Sequence, residues 1–164
     1  MKLRYFLYIA LLVPALSLLA EESSSAEKQG GMHPSSSAAG ATVSFANLAD
    51  GDVVPPEFSV RCLVSGMSIA PAGSDIDNTG HHHLLIDVDD MPAIDLPLPA
   101  TDNIRHFGKG QSEVTLQLPE GKHSLQLLLA DYRHIPHQPP VMSNVIVVVV
   151  SSDAPPQDPD KKEP

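Results

Sequence analysis

Apolar and polar residues alternate with a period of two through the middle of this chain, from about residue 42 to residue 150. That period belongs to half-buried β-strands. Thr42 to Leu48 sets Val43 and Phe45 on one face. Asp50-Gly51 then turns the chain, and Pro55-Pro56 blocks regular pairing. Phe58, Val60, Cys62 and Val64 alternate with Ser59, Arg61, Leu63 and Ser65. Leu84, Ile86 and Val88 form another inward row, and Val114, Leu116 and Leu118 a third. After the turn signal Pro119-Glu120-Gly121, His123, Leu125, Leu127 and Leu129 face one way. Val141 to Val150 is a β-branched final strand.

No segment carries a convincing helical period. Short strands with frequent turns predict an all-β fold, and an immunoglobulin-like β-sandwich of about seven strands in about 100 residues fits the spacing. The strands are expected near 42–48, 58–65, 82–88, within 93–105, and at 113–118, 122–130 and 143–150.

The flanks differ in character. Lys2 and Arg4 precede an apolar run from Tyr5 to Leu19, followed by small residues up to Ala26. Residues 1–26 therefore read as a cleaved signal peptide. The run is shorter than the ~20 residues of a spanning helix, and Pro14 interrupts it. Residues 27–41, rich in Ser, Gly and Ala, read as a flexible linker. Residues 151–164 read as a disordered, Pro-rich acidic tail. The folded domain is expected over 42–150. The mature protein is expected to be periplasmic or secreted, with no membrane contact after signal cleavage.

The net charge is −10. Removing residues 1–26 takes away Lys2, Arg4, Glu21 and Glu22 and leaves it unchanged. Such a surface argues against nucleic acid, which needs clustered Lys and Arg. Cys62 is the single cysteine, so the core must suffice without an internal disulfide. Its strand position suits a small buried apolar residue better than a reactive thiolate.

The candidate chemistry lies in the histidines. Imidazole is the commonest metal ligand and titrates nearest neutrality. In the sandwich, alternating chain direction brings several loops to one end. His81 and His83 begin a strand there, His134 and His137 lie in a Pro-rich loop there, and His106 precedes a strand that starts there. Residues two apart on a strand point the same way, their Cα atoms ~6.6 Å apart. His81, His83, His106, His134 and His137 are thus the candidate metal ligands, with copper or zinc the suited ions. His82 points to the other face, His123 starts at the opposite end, and His33 lies in the linker. Asp87 or Asp131 could orient a ligating ring.

Two weaker patterns carry less. Asp75-x-Asp77-x-Thr79-Gly80 resembles the start of a calcium loop, but Ile86 stands where the twelfth-position carboxylate belongs. Phe107-Gly108-Lys109-Gly110-Gln111 lacks the spacing of a phosphate loop and reads as a tight loop.

Four ordered motifs carry a family resemblance: Gly-His-His-His-Leu-Leu-Ile-Asp (80–87), His-Phe-Gly-Lys-Gly-Gln-Ser-Glu (106–113), Leu-Pro-Glu-Gly-Lys-His-Ser-Leu-Gln-Leu (118–127) and Ala-Asp-Tyr-Arg-His-Ile-Pro-His-Gln-Pro-Pro-Val (130–141). In these the chain resembles the domain-of-unknown-function 4399 family of exported bacterial proteins, over most of 42–150. Gly66-Met67 followed by Pro71-Ala72-Gly73 fits as well. Arg105 departs from the residue expected before the 106–113 motif. The resemblance implies an exported β-domain and no established activity.

Two function classes lead, and a hydrolase stays open behind them, for which the sequence offers no recognisable nucleophile and base. One is a non-enzymatic domain that binds a metal ion through clustered histidines. The other is a structural or protein-interaction module that docks an envelope protein, its histidines ordering the loops.

Overall fold

A computed structural model describes residues 33–157. The expected signal peptide, the first part of the linker and the end of the tail lie outside the described residues. Every element among the described residues is a β-strand: β1 (Thr42–Phe45), β2 (Val53–Val54), β3 (Glu57–Ser65), β4 (Ser68–Ile69), β5 (Thr79–Ile86), β6 (Ile104–His106), β7 (Glu113–Gln117), β8 (Gly121–Ala130), β9 (Pro136–Met142) and β10 (Ile146–Val150). The count is ten rather than about seven, because β2 and β4 are two-residue pieces too short for alternation to reveal and the chain before the expected last strand forms a further one, β9.

The strands form two sheets. The smaller has the order β1-β3-β7, and the larger β2-β10-β8-β5-β4, with β6 beside β5 and β9 beside β8. The period-two pattern explains the stacking. Val43, Phe45, Phe58, Val60, Cys62 and Leu116 from the smaller sheet share one core with Leu84, Ile86, Leu125, Leu127, Leu129, Val148 and Val150 from the larger. Burying each such side chain contributes about 1.5–3 kcal/mol. Cys62 is buried as expected, and burial pushes its thiol up to about 12.

β5 along most of its length, and β8 over its second half, are buried on both faces. Leu84 and Ile86 face the main core. Leu85, Leu128 and Ala130 form a second, smaller core on the opposite face with Leu98 and Ile104. The segment between β5 and β6 supplies that cover, with Leu98 buried on the sheet.

Two strands differ from the sequence pattern. β5 ends at Ile86 rather than Val88 because Asp87 takes a left-handed conformation (φ 52°) and its carboxylate accepts hydrogen bonds from Ser124 N and the His123 ring. The expected final strand is two strands, β9 and β10, both paired with β8. Between them Ser143 enters the ladder with its hydroxyl, accepting from Leu127 N at 2.9 Å. β9 also takes in Pro136, Pro139 and Pro140, read as loop. It lies at the margin of the sheet, where a missing N–H is tolerated.

The segments flanking the sandwich are bonded to it. Gln138 N donates to Ser35 O, and Ser37 N to Gln138 O, so residues 35–37 run alongside β9. At the other end the Gln157 amide pairs both ways with the Ser59 backbone, at 2.7 and 2.8 Å.

Candidate metal centre

His81 and His83 point away from the main core, because their neighbours Leu84 and Ile86 occupy the other face of β5. Both are buried, at 0 % and 2 % exposure. β6 lies directly against β5, with His106 opposite His83 and Ile104 opposite Leu85. The pairing is clamped at both ends: Phe107 N donates to His82 O, and Asn103 Nδ2 to Ile86 O. His106 therefore reaches the same face as His83 through strand register, not through a loop at the end of the sandwich. Gly108 makes room for its ring. A Cβ on Gly108 would overlap the imidazole, 2.6 Å from Nε2.

His134 completes the group from the tight turn between β8 and β9. It adopts a left-handed backbone conformation (φ 68°), uncommon outside Gly although His, like Asn and Asp, is enriched there. The turn is held by Asp131, which is 1 % exposed. One carboxylate oxygen accepts from Arg133 N and Ile135 N, the other from Ser35 Oγ and the Arg133 guanidinium. Burial alone would raise this carboxyl, but the donors from Ser35, Arg133 and Ile135 outweigh it and hold it below the usual range. Leu98 N caps the arrangement by donating to His134 O at 2.9 Å.

The four rings form a compact cluster. One ring nitrogen from each of His81, His83, His106 and His134 lies within 4.8 Å of the others. His81 Nε2 and His134 Nδ1 share a hydrogen bond of 3.1 Å, one of them carrying the proton. His81 Nδ1 and His83 Nδ1 are buried with no hydrogen-bond partner. Burial pushes His81 down to about 4, with His134 and His106 adding repulsion and Asp131 opposing them. Burial likewise takes His83 to about 3, reinforced by the other three imidazoles. His106 is lowered by burial and by His134. These lowered values favour neutral rings, the form that coordinates metals.

His137 is not brought to this group. Its ring lies on the opposite face of β5, where Nε2 would be 2.8 Å from a Cβ on Gly80, the residue aligned with His82. Its Nδ1 faces Ser35 O at 3.3 Å. Between His134 and His137 the chain passes from turn to strand, and that carries the two rings to different faces. His82 lies on the core side as expected, edge-on to Phe107 with ring centroids 6.5 Å apart. His123 lies apart too, bonded to Asp87 at 2.6 Å and Pro119 O at 2.9 Å. With an acceptor on each nitrogen, the protonated form of the ring is favoured. Burial works against that form, but the Asp87 and Pro119 bonds win and raise it. Asp87 thus orients His123, while Asp131 acts on the cluster through the backbone of the His134 turn.

Sequence reasoning missed Ser35, Leu98 and Gly108 as supports of the site. The adjacency of His106 and Gly108 was the one available signal.

No curated protein matches the chain. Among solved structures, the endo-beta-1,4-mannanase from Thermotoga petrophila is similar with 19 % identity and a TM-score of 0.41, over 69 % of this chain and 20 % of that one. This chain therefore spans about one fifth of that enzyme's length. Residues 60–151 match the family described as domain of unknown function (DUF4399), and they include all four clustered histidines. The chain belongs to the DUF4399 family.

Proposed function

We propose that this protein is an exported, periplasmic, non-enzymatic domain that binds a transition-metal ion, copper or zinc, through His81, His83, His106 and His134. The carrying observation is the convergence of four ring nitrogens within 4.8 Å from three separate chain segments, two of the rings being buried and bearing partnerless nitrogens. Burying imidazoles without partners costs stability, and coordination offsets that cost. Export is supported by the charged and apolar pattern of residues 1–26. A binding rather than catalytic role is supported by the burial of Cys62 and by the engagement of the Asp131 carboxylate with its own turn.

Titrating the purified chain with zinc and copper by calorimetry tests the reading. One equivalent should bind, and His106→Ala should weaken it while preserving the fold, because His106 is exposed. Equal affinity in the wild type and the variant would refute the assignment.

The His81–His134 hydrogen bond supports a second reading, in which the imidazoles only brace the turn of an envelope-protein interaction module. On that reading His134→Ala lowers the melting temperature of the metal-free protein and metal leaves the wild type unaffected.

A further inference from the structure

Metal identity follows from how the rings are arranged in space, given the metal-binding reading above. Zn(II) has no geometric preference of its own and is usually tetrahedral in protein sites, whereas Cu(II) and Ni(II) favour square-planar or tetragonal surroundings. The two arrangements leave different signatures in the distances between ring centres. With nitrogens ~2.0 Å from the ion, a tetrahedral set places all six ring-centre pairs about 5.2 Å apart. A square set instead needs two diagonal pairs at about 6.4 Å and four adjacent pairs at about 4.5 Å.

The observed distances resemble the first pattern. His81–His83 is 4.8 Å, His81–His106 4.9 Å, His81–His134 4.9 Å, His83–His106 5.2 Å, His83–His134 5.8 Å and His106–His134 4.5 Å. A square would need both members of one diagonal set to be long. The longest distance, His83–His134, is matched across the cluster by His81–His106 at only 4.9 Å. The nitrogens lie within 4.8 Å of one another, and a tetrahedral ion with ligands at ~2.0 Å needs them about 3.3 Å apart, so the rings must close in on the ion. Flattening the set would demand much more. His81, His83 and His106 stand on paired strands, and His134 is fixed by Leu98 and the Asp131-braced turn.

We propose that the cluster is a tetrahedral four-imidazole trap that selects a closed-shell d10 ion, Zn(II) or Cu(I), against Cu(II) and Ni(II). All four ligands are neutral, so selection rests on shape and not on charge neutralisation.

Cobalt(II) reads the geometry directly, because four-coordinate cobalt absorbs strongly in the visible and six-coordinate cobalt weakly. The purified full chain should bind one Co(II) with the intense spectrum. Zn(II) should displace it stoichiometrically, as should Cu(I) supplied under anaerobic reducing conditions, and an equal concentration of Ni(II) should leave it in place. Success of both displacing ions means a site shared by d10 ions, and success of one alone names the ion. His106→Gln should lose the intense band. An unchanged band in His106→Gln would overturn the trap and the assignment of His106 as a ligand together. Stoichiometric cobalt with a weak spectrum, or displacement by Ni(II) as readily as by Zn(II), would overturn the tetrahedral trap and leave the metal-binding reading standing. No cobalt or zinc bound at all would overturn both.

Discussion

At Gly108 the absence of one carbon decides whether His106 can join the cluster. Gly108→Ala should displace the imidazole and weaken zinc binding by about ten- to hundredfold, the usual cost of disturbing what orients a ligand. Calorimetry against the wild type would show it, and an unchanged affinity would mean that His106 takes no part. His123 makes a separate prediction. Its folded pKa is raised by Asp87 and Pro119, so its contribution to stability is complete below the unfolded value of about 6.5 and disappears as pH rises through the folded value. The melting-temperature difference between wild type and His123→Gln should therefore shrink as pH is raised above neutrality. A gap that widened instead would contradict the upward shift of His123.

Among the elements, β5 and β8 carry both the core and the site. Leu127 is fully buried between the sheets, and Leu127→Ala should destabilise the fold by about 2–5 kcal/mol in denaturant unfolding. The alternation around Leu125, Leu127 and Leu129 made β8 legible in the sequence, and the i, i+2 spacing put His81 and His83 on one face. The position of His106 was not legible. Its register against His83 depends on how the long segment from Asp87 to Asn103 folds back, and that rests on contacts distant in sequence such as Asn103 with Ile86. His137 was misplaced because its prolines read as loop, whereas a marginal strand accommodates them. The turn at 131–135 was equally hidden, since Asp131 is satisfied partly by Ser35, 96 positions away. Asp131→Asn should weaken metal binding although the carboxylate bonds to none of the four rings.

Across the whole molecule, four imidazoles are gathered on the outer face of the larger sheet of an acidic protein without a carboxylate among them. Folding must hold these rings together before an ion compensates them, so binding and folding are linked. At a metal concentration about 100 times the dissociation constant, the native state should gain about 2.7 kcal/mol. The melting temperature of the purified chain should accordingly rise with added zinc.

The most direct test follows the ring nitrogens themselves by long-range 1H–15N correlation NMR while zinc is added. The account predicts that His81, His83, His106 and His134 shift together and saturate at one equivalent, while His82, His123 and His137 stay in place. Shifts at His137 or His123 in place of these four, or no saturable shift in any ring, would contradict it.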